Sequence, residues 1–377
     1  MERQSVLVTF GVAVYNVSSY LPQCLDSLMS QAGDDTEFLL IDDGSTDGSS
    51  EICDRYEQKD PRFRVIHQAN RGVCAVRNTI ITQAMGTWIS FVDGDDRVLP
   101  DTLERFRSVE KTTFDILYFS RLFFRSDHAI PSAKPSDRWQ ALRIPEELGV
   151  LALETMYSAG QDASYDFVAL RPVYAKLFRT AFLRECGLRF CEVLTMGEDV
   201  EFNLRCIAAA HSIMLCASPV YLYRNNQTSA VRRYREDIVK DNTALVKKLS
   251  EVSGLFPSLR QEMEQRFYMR CIADLGTCLL SGCCHEDNPK PLLERKDEFL
   301  NLLSLPWSRT AMERVPFERL SKREQRLLLL LRKKDFRAVC RHFSGRFRQE
   351  ALKRQLAESF VANWLYHMYE AVKHALR

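Results

Sequence analysis

The sequence predicts an α/β fold, with a mostly parallel sheet flanked by helices, followed by an all-helical C-terminal extension. Three observations carry this reading. Apolar, β-branched runs of strand length alternate with amphipathic stretches from Val6 to Asp96, clusters of Asp, Asn and Gly close those runs, and strand patterns cease after about Tyr234. Uninterrupted apolar strands separated by helices belong in a sheet covered on both faces, because a strand with one wet face would alternate.

Taken in order, "SVLVTFGVAVYN" is a buried strand and "SYLPQCLDSLMSQ" a helix with Leu21, Leu25, Leu28 and Met29 on one face. Strand "EFLLIDDGS", helix "SSEICDRYEQKD", strand "FRVIHQ", helix "CAVRNTIITQAM" and strand "TWISFVDGDD" follow. The polar clusters "VYN", "DDGSTD", "NRG" and "DGDD" fall at or just past the carboxyl ends of strands. Ligands bind there in such sheets, so one cleft can collect all four. From Ser126 to Glu147 the chain is polar and proline-bearing, which predicts a long surface loop. "RPVYAKLFRTAFLRECGLRF" and "EDVEFNLRCIAAAHSIML" resume the αβ character and lead into a short strand, "PVYLYR". Helical patterns fill the remainder, including "NTALVKKLSEVSGLF", "RFYMRCIADLGTCLL", "KREQRLLLLLRKKDFRAVCRHF" and "ESFVANWLYHMYEAVKHAL". A boundary near 235 divides an α/β domain, 1–235, from a helical domain, 236–377.

With 377 residues, 46% apolar and 27% charged, the chain has the composition of a soluble globular protein with room for two domains. A net charge of +2 names no partner, yet Ser321 to Arg354 carries twelve Lys plus Arg against three Asp plus Glu. Leucine and phenylalanine recur among those cations at helical intervals. Such a stretch either lies on an anionic membrane surface or exposes a solvated basic face. None of the familiar nucleic-acid-binding modules is present, so nucleic acid is not expected as a partner. The twelve cysteines are scattered without repeated spacing and form no Cys-x-x-Cys pair, so they read as reduced thiols without zinc. No apolar run reaches membrane-spanning length, and the N-terminus opens into a strand rather than a signal core. The expected location is cytoplasmic, with a peripheral place at the inner membrane face offered by the basic tail.

"WISFVDGDDRVLPDTL" sets Asp93, Asp95 and Asp96 where a buried strand ends. Solvation of a loop would account for three acids, but carboxylates fixed at a strand end repel one another, and a divalent cation between them relieves that repulsion. Mn²⁺ or Mg²⁺ takes a few carboxylate oxygens together with phosphate oxygens of a substrate, so D-x-D here predicts a metal–diphosphate site. Asp96 is expected to face away, bracing the loop or capping the segment that begins near Leu99. In "LLIDDGSTDGSSEICDRY", turn and capping chemistry explains the Asp43 to Ser49 segment but not why Asp42 precedes Asp43. A carboxylate at that strand end can accept from a uracil imide or another base edge. In "NRGVCAVRNTII", Gly72 allows close backbone approach, and Arg77 sits on the first turns of a helix facing the same cleft. "TMGEDVEFNLRCI" by itself is a helix N-terminus with acids in its first turn, favoured by the macrodipole.

The series "VAVYNVSSYLPQCLDSLMSQ", "EFLLIDDGSTDGS", "NRGVCAVRN", "GTWISFVDGDD" and "MGEDVEFNLR" resembles the family-two, inverting glycosyltransferases of the Rossmann-like GT-A fold, in that order and with similar spacing, over roughly Val6 to Arg235. Each motif is weak alone; five in sequence are specific. The resemblance implies a nucleotide-diphosphate sugar, above all a UDP-sugar, and Mn²⁺ or Mg²⁺. It implies base contacts from Val14, Tyr15 and Asp43, with Asp42 beside them; Arg77 near the donor; and Asp93 and Asp95 on the metal. Ala13 departs from the family, where proline or threonine is frequent, and matters little if backbone atoms make that contact. Lys176 in "KLFR" and Arg224 in "YLYRNNQTS" resemble positions near the acceptor and the diphosphate. In this family the "ED" pair supplies the catalytic base. Asp199 is the match, with Glu198 as its support or, in the reverse assignment, as the base itself. One base without a second, nucleophilic carboxylate gives inversion at the sugar.

The expected enzyme is therefore a metal-dependent inverting glycosyltransferase that moves a sugar to a saccharide or lipid-linked acceptor in cell-surface polysaccharide biosynthesis. Acceptor, membrane-surface or oligomer contacts fall to the helical domain. A sugar nucleotidyltransferase also joins an αβ sheet to acidic metal ligands, but it needs a glycine-rich phosphate loop near the N-terminus, and "VAVYNVSS" has none. A catalytically silent glycan-binding or scaffold protein has no physical need to keep Asp43, Asp93, Asp95 and Asp199 in one cleft.

Overall fold

The computed structural model describes residues 6–31, 33–108, 112–124, 136, 138–158, 164–225 and 233–343. Four parallel strands build one half of a mixed sheet: β1 (Val8–Val14), β2 (Thr36–Asp42), β3 (Phe63–His67) and β4 (Trp88–Asp93), in the order β3-β2-β1-β4. Their register sets the strand ends flush, with Val14 opposite Asp42 and Ala13 opposite Asp93. The acids read from the sequence therefore line one edge. Beyond β4 the sheet continues through an antiparallel β8 (Lys176–Arg179) to β6 (Ile116–Phe124) and then to β9 (Ile213–Arg224), which runs parallel to β6. Strands β5 (Arg97–Val98) and β7 (Trp139–Leu142) both pair antiparallel with β9.

Both faces of the sheet are covered, which is why the strands read as continuous apolar runs. Phe38 and Leu40 point to one face, where Phe10 and Val12 meet Leu21, Leu25 and Leu28 of α1 (Leu21–Met29) and Ile52 of α2 (Ser49–Lys59). Leu39 and Ile41 point to the other, against Ile80 of α3 (Val73–Gln83) and Phe202 of α7 (Glu198–Ala209). The spacing of Leu21, Leu25 and Leu28 makes the buried stripe of α1, each leucine contributing about 1.5–3 kcal/mol on burial. Pro22 opens that helix where a missing N–H costs nothing. Between α3 and α7 lie α4 (Thr102–Arg107), α5 (Pro145–Met156) and α6 (Thr180–Glu185).

Two expectations are corrected. The Ser126 to Glu147 stretch is not all surface loop: β7 lies within it and α5 begins at its end, while residues 126–135 and 137 lie outside the described residues. β7 is short, and only Leu142 among its residues is buried, so it left no apolar signature. Nor is "KREQRLLLLLRKKDFRAVCRHF" one helix. α12 (Lys322–Arg332) stops, Lys334 takes a left-handed φ of 52°, and helical turns resume after Asp335, whose carboxylate accepts the Ala338 N–H at 3.0 Å. "ESFVANWLYHMYEAVKHAL" and residues 344–354 of the basic stretch lie outside the described residues.

The remaining helices are α8 (Ile238–Ser253), α9 (Arg260–Ser281), α10 (Leu292–Ser304) and α11 (Pro306–Arg314). The chain divides into two compact units, one of residues 1–229 with 240–270 and one of 230–239 with 271–377. In the first, Leu245, Leu249 and Val252 join the core on the α3 and α7 face. The second has its own buried residues, including Phe299, Leu328, Leu331 and Phe336. No helix among the described residues is long and apolar enough to cross a membrane.

Candidate active site

The acidic turn is built at the end of β4. Gly94 donates its N–H to the Ala13 carbonyl at 3.0 Å, and a Cβ on residue 94 would stand 2.9 Å from that oxygen. Only glycine lets the chain cross the end of β1 so closely. Asp93 and Asp95 are partly exposed on this turn, whereas Asp96 is buried and accepts from the Tyr221 hydroxyl at 2.9 Å and the Arg224 N–H at 2.6 Å. The Tyr221 oxygen in turn accepts the Asp93 N–H at 3.1 Å. Tyr174 stacks on Tyr221 with centroids 4.3 Å apart. Burial, and then the charges of Asp93 and Asp95, push the Asp96 carboxyl up to about 9. Arg224 is likewise buried, donating from Nε to the Asp95 carbonyl at 2.7 Å and from Nη2 to Gln23 Oε1 at 2.5 Å, with Tyr20 and Phe124 against its guanidinium. It braces the acidic turn from behind.

A second set of acids comes from α7. Gly197, at φ 67°, turns the chain into that helix so that Glu198 and Asp199 occupy its first turn. Arg77 of α3, with 5% of its side chain exposed, joins the two sets. Its Nη1 donates to Asp199 Oδ1 at 2.6 Å and Glu198 Oε1 at 3.0 Å, and its Nη2 to Asp93 Oδ1 at 3.3 Å. Burial disfavours the Arg77 charge, but Asp199, Asp93 and Glu198 more than offset it and the guanidinium stays ionised. Asp199, 22% exposed, also accepts the Val173 N–H at Oδ2 at 3.3 Å. Burial raises the Asp199 carboxyl to about 6, with Glu198 adding to the rise and Arg77 opposing it.

At the other end of the cleft, Val14 is buried and its carbonyl accepts the Asp43 N–H at 2.9 Å, while Tyr15 is 51% exposed. Asn16, at φ 50°, ties this edge to the next loop: its Oδ1 accepts the Thr46 N–H at 2.8 Å and its own N–H donates to Ser45 Oγ at 3.1 Å. Asp42 and Asp43 divide their work. Asp42 accepts from the Ser45 N–H, Ser50 Oγ and His67 Nδ1 at 3.1, 2.6 and 2.9 Å; burial alone would raise its carboxyl, but these bonds hold it below the usual range. Asp43 accepts from Gln68 Nε2 and the N–H groups of Arg71 and Gly72 at 2.7, 3.0 and 2.8 Å, fastening the 68–72 loop to the strand end.

The structure thus gathers Arg77, Asp93, Glu198 and Asp199 by direct contact, places Asp95 beside them, and sets Val14, Tyr15, Asp42 and Asp43 along the same sheet edge. Lys176 has no exposed surface, and its ammonium donates to the carbonyls of Ala169, Leu170 and Pro172. Arg121 on β6 was missed. Its Nε and Nη1 are buried without a hydrogen-bond partner, and its guanidinium lies 4.9 Å from the Phe123 ring and 5.6 Å from that of Tyr174. The one signal was a cation interrupting the apolar run "YFSRLFF".

A mixed sheet whose parallel half ends in an acidic turn, facing carboxylates at a helix N-terminus, is the arrangement of GT-A glycosyltransferases. Comparison with known proteins agrees. Residues 9–171 match the family described as Glycosyl transferase family 2. The uncharacterized glycosyltransferase EpsJ of Bacillus subtilis is 30% identical over 337 residues, covering 86% of this chain and 92% of EpsJ. The succinoglycan biosynthesis protein ExoO of Rhizobium meliloti is 29% identical over 238 residues, covering 61% and 64%. Among solved structures, S. aureus TarS 1–349 in complex with UDP superposes with a TM-score of 0.59 at 19% identity, over 91% of this chain and 92% of that one. The chain belongs to glycosyl transferase family 2 and is a glycosyltransferase.

Proposed function

We propose that the enzyme transfers a hexosyl or related sugar, with inversion, from a UDP-sugar to a saccharide or lipid-linked acceptor during assembly of a cell-surface polysaccharide. One observation carries this reading: Arg77 holds Asp93, of the acidic turn, and Asp199, at the helix N-terminus, on one guanidinium. The group that would face a diphosphate and the group that would take a proton thus lie within one side chain's span. The donor and pathway classes are supported by TarS, solved as a UDP complex, and by ExoO, a succinoglycan biosynthesis protein.

In this mechanism Asp199 accepts the proton of the acceptor hydroxyl as that oxygen bonds to C1 of the sugar. The bond from C1 to the diphosphate breaks on the opposite face, and its electron pair leaves with UDP. Glu198 shares Arg77 with Asp199 and helps to orient it. Tyr15, Val14 and Asp43 border the base, and Asp42 holds their loop. Among the described residues no three-ligand cage of His, Cys, Asp and Glu is assembled. Asp93 and Asp95 nevertheless suit Mn²⁺ or Mg²⁺, an ion that needs only a few carboxylate oxygens and would take the rest of its ligands from substrate and solvent. Burial first, and then the charges of Asp93 and Asp95, raise the Asp96 carboxyl, and such a cation would relieve the second of these. A bound cation would neutralise charge on the departing diphosphate. The α/β domain, 1–235, is assigned the chemistry. The helical domain, 236–377, is assigned acceptor, oligomer or membrane-surface contacts from the cytoplasmic side.

A screen of nucleotide sugars for metal-dependent hydrolysis, read as released UDP, tests the reading. Asp95→Ala is expected to abolish metal-dependent hydrolysis and transfer. Asp199→Asn is expected to keep UDP affinity and lose turnover; wild-type turnover in Asp199→Asn would refute the base assignment.

A further inference from the structure

The turn before β8 closes on a single residue of β6. Ala169 donates its N–H to the Phe119 carbonyl at 2.9 Å, and Phe119 donates its own N–H to the Ala175 carbonyl at 2.9 Å, so residues 169–175 leave and rejoin the sheet at one point. Within this loop lies the Lys176 side chain. Its ammonium donates to the carbonyls of Ala169, Leu170 and Pro172, and Nζ sits 4.3 Å from the centre of the Tyr118 ring. An ammonium has three N–H donors and a neutral amine two, so three carbonyls and an aromatic face match the charged form. Burial pushes the Lys176 pKa down, and the Asp199 charge acts in the other direction.

Two further observations point this loop at the chemistry. Asn203, buried on α7 and four residues beyond Asp199, donates from Nδ2 to the Arg171 carbonyl at 2.7 Å. Residues four apart share a helix face. The loop also delivers the Val173 N–H to Asp199 Oδ2 at 3.3 Å, while Arg77 holds Oδ1. Ala175 adopts a left-handed φ of 54°, a conformation that a non-glycine residue keeps only where its surroundings impose it. We infer that Lys176 is a positioning residue: by filling the 169–175 loop and gathering its carbonyls, it holds the Val173 amide on Asp199 and so fixes which carboxylate lone pairs face the acceptor. The inference rests on Asp199 being the base.

The experiment uses the full-length enzyme with the donor found in the screen. Lys176→Met is expected to lower kcat for donor hydrolysis by about 100-fold, the size of effect that slight misplacement of a reacting group produces, with the donor KM and UDP affinity unchanged. Asn203→Leu, which removes the Asn203 hydrogen bond to the Arg171 carbonyl and leaves Lys176 in place, is expected to lower kcat alone as well, and it serves if Lys176→Met does not fold. Wild-type kcat in either folded variant overturns the inference. So does a loss of UDP affinity in Lys176→Met equal to its loss of turnover, since that would make Lys176 a donor ligand. Asp199→Asn separates the two readings. If Asp199→Asn is inert and Lys176→Met fully active, the positioning role alone fails; if Asp199→Asn turns over normally, the base assignment fails first.

Discussion

Arg77 faces three carboxylates from a position that is almost wholly buried. Removing one partner of such a cluster leaves charges with neither water nor a counter-ion, which typically costs more than the pairing itself contributes. Arg77→Leu is accordingly expected to destabilise the folded protein by about 3 kcal/mol in urea unfolding. UDP with Mn²⁺ should restore part of that loss, because a cation would take over neutralisation at Asp93. Asp199 gives a pH prediction. Its carboxyl is raised to about 6 by burial, so it is ionised above that pH and protonated below it. A protonated carboxyl cannot take a proton from a hydroxyl, so kcat/KM should fall about tenfold per pH unit below roughly pH 6. A profile of donor hydrolysis at fixed metal concentration checks this; a flat profile down to pH 5 would exclude Asp199 as the base.

At the scale of elements, α12 presents a stripe in which Lys322, Arg326, Leu329 and Lys333 recur at helical spacing, all exposed, while Leu327, Leu328 and Leu331 are buried on the opposite side. A cationic face around one exposed leucine suits an anionic bilayer, at about 1 kcal/mol per cation near the surface. The full-length protein is expected to sediment with phosphatidylglycerol-containing vesicles at low salt and not with neutral ones. The triple reversal Lys322→Glu, Arg326→Glu and Lys333→Glu should abolish this; undiminished sedimentation would remove α12 as the contact. Elements were legible from sequence wherever one side of an argument was local. Both-face burial left unbroken apolar runs at β1, β2 and β4, and helical spacing marked α1. β7 was hidden because its exposed residues carry no pattern. The break after Arg332 was hidden because helical periodicity continues across it, and only the left-handed Lys334 reveals the interruption. The candidate site was legible as residue types at strand and helix ends, where chemistry needs carboxylates. The pairings among them were not: Arg77 lies 122 positions from Asp199 and Tyr221 lies 125 from Asp96. The surroundings of Lys176 were hidden for the same reason, since nothing local shows that three carbonyls will gather round its ammonium.

For the whole molecule, the division into two compact units has a calorimetric consequence. Ligand that binds only the folded sheet-bearing unit stabilises that unit, by about 2.7 kcal/mol at a hundredfold excess over its Kd. UDP with Mn²⁺ should therefore raise the melting temperature of that unit. Asp95→Ala, lacking a carboxylate proposed to hold the metal, should show no such rise. A rise in Asp95→Ala equal to that of the wild type would mean that nucleotide binding does not depend on this carboxylate.

The contact between Gly94 and the Ala13 carbonyl makes the two positions unequal in the mutations that they can bear. Residue 13 contributes its backbone oxygen, which every amino acid supplies, so the side chain there is free to vary within the space available. Residue 94 contributes the absence of a side chain, which no other amino acid supplies. Saturation libraries at the two sites, selected for UDP release, should return a broad set of survivors at 13 and glycine alone at 94.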